Sequence, residues 1–312
     1  MEILLTGATG FVGSLLMPEL LARGHRVRAL ARNPDRLAGG EAVVHKGDVL
    51  TGEGLQAALR DVEVAYYLIH SMEPSAGGVG FAERERLAAS NFAAAARTAG
   101  VRRIVYLGGL VPRWESDGER RGRHGSRHLA SREQVERILL AAVPDSLALR
   151  ASIVIGARSR SFRLLVRLVE RMPVLALPAW QRFRTQPIDE RDVIEMLAAC
   201  AQSTLSGAVL EIGGPDVLSY GEMLERIADA MLVGRPSVRL RFNLTPVAGR
   251  VAAAIATESP DLVVPLMEGL QGDLLPRDDH AEELLGVRLH SFDSAVEHAL
   301  AEWERAEPLA AR

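Results

Sequence analysis

Seven residues near the start of the chain, Gly7-Ala8-Thr9-Gly10-Phe11-Val12-Gly13, have the spacing with the clearest chemical meaning. They follow a short apolar run, Ile3 to Leu5, and open a helix-period segment. In that context the three glycines point to a bound diphosphate. Gly7 permits the tight turn, Gly10 lets the backbone approach a pyrophosphate, and Gly13 lets the helix pack closely on its strand. The helix N-terminus adds unpaired N–H groups and the positive end of its dipole. The implied chemistry is dinucleotide binding, against the competing account of a plain turn.

The end of the second strand selects the dinucleotide, because a carboxylate roughly 20 positions on would bind a ribose 2′-hydroxyl. That place holds Ala31, followed by Arg32, with Arg28 nearby. Without the carboxylate the repulsion of a 2′-phosphate is gone, and a guanidinium can bind that phosphate bidentately. The reading is NADP(H), with solvated surface charge as the alternative for both arginines. Asp48 is placed to meet the adenine amino group, and Ile69 and His70 to line the cofactor groove.

These residues need a doubly wound sheet to bring them together. The first half alternates strand-like runs with helix-period segments. Strands are expected at Ile3 to Leu5, His25 to Ala31, Ala42 to His45, Val64 to Ile69, Arg103 to Leu107 and Leu147 to Ile155. Helices are expected to begin near Phe11, Gly52, Phe81 and Arg127, the first kinked at Pro18. Past about residue 157 come helices over Phe162 to Arg171 and Asp192 to Ala201, and strands at Ala208 to Ile212 and Val238 to Phe242. The expected fold is α/β, a Rossmann-type doubly wound parallel sheet with a smaller helix-rich C-terminal substrate region. Residues 1–215 would form the NAD(P)-binding domain, with 157–184 a pocket-lining insertion, and 216–312 would close over it.

Composition narrows the chemistry further. Lys+Arg 37 against Asp+Glu 40 leaves a net charge of −3, so no global field draws in nucleic acid or anionic lipid. Only Lys46 is a lysine, and arginine cannot form a Schiff base or titrate in its place. The single cysteine, Cys200, removes disulfides, CxxC pairs and cysteine-based zinc sites, and fits a reducing compartment. With no basic leader and no apolar run near the roughly 18 residues of a membrane span, a soluble cytoplasmic protein is expected. The histidines show no H-E-x-x-H or paired spacing, so no metal site is expected.

Several motifs together resemble the short-chain dehydrogenase/reductase superfamily, in its atypical and extended branch. They are TGATGFVG from Thr6 to Gly13, GDV from Gly47 to Val49, YYLIHSM from Tyr66 and AGVRRIVYLGGL from Ala99. LRASIVIG from Leu149, RTQPI from Arg184 and EIGGPD from Glu211 extend the likeness. It reaches from Met1 to about His298 and is nearest to NmrA-like proteins and an accessory subunit of respiratory complex I. The resemblance completes a cofactor-binding set of Thr6, Gly7, Thr9, Gly10, Phe11, Val12, Gly13, Arg32, Asp48, Val49, Ile69, His70 and Gly108. It also implies a Tyr-x-x-x-Lys pair and a serine, and here the chain departs: His128 stands for the tyrosine, Arg132 for the lysine and Gly108-Gly109 at the serine. A protonated His128, with an unperturbed pKa near 6.5, could donate to a carbonyl oxygen while Arg132 holds a ribose hydroxyl.

Two functions follow. One is an NADP(H)-dependent oxidoreductase acting on a small organic substrate. The other is a catalytically silent NADP(H)-binding redox sensor or assembly protein, as the NmrA-like resemblance implies, with a second copy or a protein as partner. Arg113, Arg120, Arg121, Arg123, Arg127 and Arg132, with Trp114 and His124, could hold an anionic substrate or form a solvated loop. Nucleic-acid binding is not expected, since only 4% of the chain is aromatic and base stacking would need more. Trp180, Arg182, Phe183, Arg184 and Gln186 line the substrate pocket or pack the sheet against the C-terminal helices.

Overall fold

Glu2–Thr6 alternates its buried side chains between two faces, Ile3 and Leu5 into one core and Leu4 into the other. A strand buried on both sides needs helices on both sides. The computed structural model, which describes residues 1–37, 40–69, 80–111, 127–240, 272–278 and 280–307, supplies them.

In chain order come β1 (Glu2–Thr6), α1 (Phe11–Ala22), β2 (Arg26–Ala31), β3 (Val43–Lys46), α2 (Leu55–Leu59), β4 (Val64–Tyr67), α3 (Phe81–Thr98), β5 (Arg103–Gly109), α4 (Arg127–Ala142) and β6 (Leu147–Ala151). There follow β7 (Val154–Ile155), α5 (Arg160–Arg171), β8 (Leu175–Leu177), β9 (Arg184–Thr185), β10 (Ile188–Asp189), α6 (Glu190–Cys200) and β11 (Ala208–Ile212). The rest is β12 (Leu218–Ser219), α7 (Tyr220–Ala230), β13 (Ser237–Arg239), α8 (His280–Leu285) and α9 (Phe292–Ala306).

Seven strands form one sheet in the order β11-β6-β5-β4-β1-β2-β3, parallel throughout. The expected Rossmann-type sheet is therefore present, and Ala208 to Ile212 joins it. Its order reverses between β1 and β4, the switch point where such sheets bind ligands beyond the strands' carboxyl ends. One core, with Leu4, Ala65, Tyr67, Ile104 and Tyr106, packs under α2, α3 and α4. The other, with Ile3, Leu5, Tyr66 and Leu149, packs under α1 and α6. A third gathers Phe162, Trp180, Tyr220, Met223, Phe292 and Trp303 from α5, α7, α9 and the segments between them. Among the described residues no helix is long and apolar enough to cross a membrane.

Several boundaries differ from the sequence reading. The run Leu147 to Ile155 is two strands, because Ser152 N donates to the Ile212 carbonyl and Val154–Ile155 pairs with β10 outside the main sheet. β4 ends at Tyr67 rather than Ile69. α2 begins at Leu55, after Gly52 and Gly54 take positive φ. Strand β13 stops at Arg239, and Phe242 lies outside the described residues.

Candidate functional site

The glycine loop closes over the switch point. Thr6, fully buried, donates its hydroxyl to the Tyr66 carbonyl at 2.9 Å and accepts from Leu68 N at 3.3 Å, so the ends of β1 and β4 are stitched together. Gly7 has φ +72°, and a Cβ there would lie 2.6 Å from the Leu68 carbonyl oxygen. A Cβ on Gly13 would overlap the Gly7 carbonyl. Both positions therefore require glycine, the first for its backbone angle and the second for close helix approach. Gly10 caps α1 with no side-chain hydrogen bond and is exposed. The N–H groups of the helix's first turn thus keep their capacity for a ligand. Thr9, Phe11 and Val12 are half-buried around that mouth. These features fit a dinucleotide diphosphate, whose close approach a side chain at Gly10 would hinder.

At the adenine end, Arg32 is exposed beyond β2. Arg28 is committed elsewhere: Nη1 donates to the Arg60 carbonyl at 2.6 Å and Nε lies 3.2 Å from Glu2. Asp48 Oδ1 accepts from Leu50 N at 2.8 Å, folding the turn that follows β3. Val49 is buried, its carbonyl accepting from Asn91 Nδ2 at 3.1 Å. Ile69 is half-buried past β4, and His70 lies outside the described residues.

At the opposite end of the switch point, β5 finishes in Gly108-Gly109. Gly108 is buried, and a Cβ there would stand 3.2 Å from the Tyr106 ring. Arg132, on α4, donates Nη2 to the Leu107 carbonyl, and its guanidinium lies 5.1 Å from the Tyr106 ring centroid. The cation thus sits at the carboxyl end of β5, with one of its five donors bonded to protein. His128 belongs to the first turn of α4, and its side chain lies outside the described residues, as do Arg113, Trp114, Arg120, Arg121, Arg123, His124 and the side chain of Arg127. Beneath Arg132, Glu136 receives Arg150 bidentately at 2.9 and 2.7 Å. Ser131 donates to the buried Glu85 at 2.8 Å.

The segment after β8 is taken up largely by packing. Trp180 is 4% exposed and meets Tyr220 edge-on at 6.0 Å. Arg182 lies over Phe183, Arg184 pairs with Asp273 at 3.0 Å, and Gln186 Nε2 donates to the Gly214 carbonyl at 3.1 Å.

Two charged residues that the sequence reading did not single out approach the glycine loop. Glu190, first in α6, is 4% exposed and stands against Gly156, where a Cβ would overlap its carboxylate and lie 2.9 Å from Phe11 Cζ. Burial, then the neighbouring Glu302 carboxylate, pushes its pKa up to about 8. His298 and Glu302, one turn apart on α9, reach the same spot, and candidate ligand atoms of the three lie within 4.8 Å of one another, a juxtaposition no local spacing announces. Arg158, in the turn after β7, donates Nη1 to Ser14 Oγ at 2.7 Å. Ser14 sits 144 residues away in sequence, which hid the contact.

Residues 7–145 match the family model described as NAD(P)H-binding. That stretch is similar to NAD(P)H-binding domains and takes in the glycine loop. A 3-beta-hydroxysteroid dehydrogenase of Mycolicibacterium neoaurum is 31% identical over 113 residues, 34% of this chain and 31% of its own length. The chain thus spans about a third of the length of the curated relatives it matches. Among solved structures, gox2253 superimposes with TM-score 0.77 at 21% identity, over 98% of this chain and 99% of the other. MoeE5 in complex with UDP-glucose and NAD gives TM-score 0.71 at 22% identity, over 98% and 99%. The likeness to these solved structures is one of fold.

Proposed function

We propose that the protein is an NADP(H)-dependent oxidoreductase of the atypical short-chain dehydrogenase/reductase type, acting on a small organic substrate in the cytoplasm. The observation that carries the cofactor reading is the bare N-terminus of α1 at the switch point, flanked by the exposed Arg32 and with Ala31 where a carboxylate would select NAD. Thr6, Gly7, Thr9, Gly10, Phe11, Val12 and Gly13 would hold the diphosphate. Arg32 would hold the 2′-phosphate, Asp48 and Val49 the adenine, and Ile69, His70 and Gly108 the groove towards the nicotinamide. NADP(H) supplies or accepts the hydride when bound. His128 would give a proton to the substrate oxygen when hydride is delivered and take it back in the reverse direction, and Arg132 would hold the ribose and the charge that develops. The dehydrogenase relative and the sugar-nucleotide complex of MoeE5 are compatible with a small-molecule substrate.

A second reading, silent NADP(H) binding by a sensor or assembly protein, is favoured by two features. Arg132 is bonded to the Leu107 carbonyl, and Gly108-Gly109 offers no hydroxyl where the resemblance implies a serine. The test of both is a fluorescence titration with NADPH and NADH, repeated on Arg32→Ala, followed by a turnover screen of carbonyl and enone substrates. NADPH binding stronger than NADH and lost in Arg32→Ala is expected. Binding of neither cofactor would overturn both readings. Binding without turnover of any substrate would favour the second.

A further inference from the structure

The turn after β7 carries a charge that the reading above leaves unused. It is docked on the first turn of α1 at two points. Gly156 presents bare backbone to the Phe11 ring, where a Cβ would lie 2.9 Å from Cζ. Two residues on, Arg158 donates to Ser14 Oγ at 2.7 Å, and that hydroxyl in turn donates to the Phe11 carbonyl at 3.0 Å. Phe11 opens α1 and Ser14 completes its first turn, so the guanidinium stands beside the helix end whose N–H groups no side chain caps. Arg158 is exposed, its partner is a neutral hydroxyl, and among the described residues no carboxylate pairs with it.

Charge balance gives this arrangement a purpose. A dinucleotide brings two negative charges in its diphosphate, whereas the loop from Thr6 to Ser14 contains no cationic side chain. Helix N–H groups and a dipole hold phosphate but leave its formal charge uncompensated. A guanidinium has five donors in a planar fork suited to phosphate oxygens, and Arg158 spends one of them on Ser14. We propose that Arg158 binds the cofactor diphosphate from the β7–α5 turn, beside the uncapped N-terminus of α1. The proposal rests on the cofactor reading above. It assigns to the β7–α5 turn the charge neutralisation that the loop lacks, and Ser14 holds the guanidinium in readiness.

The test is a titration of wild type, Arg158→Met and Arg158→Lys with two probes. NADPH carries the diphosphate, and adenosine 2′-monophosphate carries only the adenosine and 2′-phosphate. Melting temperatures of the cofactor-free proteins show that each variant folds. Arg158→Met is expected to weaken NADPH binding at least about tenfold, the worth of a charge-assisted hydrogen bond. Adenosine 2′-monophosphate should change less than about twofold, and Arg158→Lys should recover part of the loss, because a point charge replaces the fork. Unchanged NADPH affinity, or equal weakening of both probes, would overturn the assignment while leaving the cofactor reading intact. A wild type that binds neither probe removes the cofactor reading and this assignment with it.

Discussion

Glu190 has little solvent around it; the Glu302 and Asp189 carboxylates neighbour it, Arg191 opposes them, and His298 Nε2 lies 3.7 Å from its Oε1. Burial is the larger cause of its raised pKa of about 8 against an ordinary 4.5. A carboxyl raised on folding holds its proton in the native state and loses it on unfolding. Between about pH 4.5 and 8 the native state therefore binds the extra proton, and stability falls as pH rises through that window. Glu190→Gln, which keeps the shape and cannot ionise, should gain on the order of 1–3 kcal/mol at pH 8. At pH 4.5 it should gain almost nothing. Urea melts of both proteins across that range check this; a gain independent of pH would show that Glu190 does not titrate as described. His128 is argued at the same scale. His128→Gln should lower turnover about 100-fold, the low end for general acid catalysis, with NADPH affinity unchanged, read by steady-state kinetics beside a binding titration. Turnover equal to wild type would remove the acid role.

Arg103 shows what an element boundary costs when it is buried. It opens β5 at 2% exposure, and its guanidinium donates to four carbonyls: Asp145 at 3.0 Å, Cys200 and Ser203 each at 2.7 Å, and Leu205 at 2.6 Å. The last three close the end of α6 and the chain leading to β11, where helix carbonyls have no partners of their own, and the first ties in the turn before β6. Arg103→Met would leave those carbonyls buried without donors, a loss of about 3 kcal/mol or more. A lower urea midpoint with unchanged NADPH affinity is expected; a midpoint equal to wild type would contradict the clamp. In sequence Arg103 is one of a pair of arginines before an apolar run and looks like surface charge. The glycine loop and the strands β1, β2, β5 and β11 were legible because turn chemistry and apolar period are local properties. The break at Ser152-Ile153 was not, because no Gly or Pro interrupts Leu147 to Ile155, while the hydrogen-bond partners there, Ile212 and Ile188, come from later in the chain. Arg28 misled for a similar reason: spacing placed it near the second strand's end, and Glu2 and Arg60 draw its side chain away. Arg158 and Glu190 acquire meaning only through Ser14, Gly156 and Phe11, which chain separation conceals.

Across the whole molecule the parallel sheet has two unlike edges. At the amino ends of its strands the connections are tight turns, with Gly24, Asp61 and Gly100 at positive φ and backbone bonds such as Arg26 N to the Met1 carbonyl and Glu63 N to the Glu2 carbonyl. At the carboxyl ends lie the glycine loop, Arg32, Asp48, Ile69, Gly108 and, against α1, the turn bearing Arg158. Every proposed cofactor contact among the described residues falls on this second edge, as the reversal of strand order between β1 and β4 requires. Hydrogen–deuterium exchange with and without NADPH tests this polarity without a substrate. Amides from Gly7 to Gly13 and from Gly156 to Arg158 should slow when the cofactor binds, because their N–H groups gain partners or lose access to water. The turns at Gly24, Asp61 and Gly100 should exchange at the same rate in both states. Protection confined to those turns, or spread evenly over both edges, would mean that the cofactor acts by global stabilisation or binds elsewhere. Protection at the glycine loop without any at Gly156 to Arg158 would keep the dinucleotide where the fold places it and take the second clamp away.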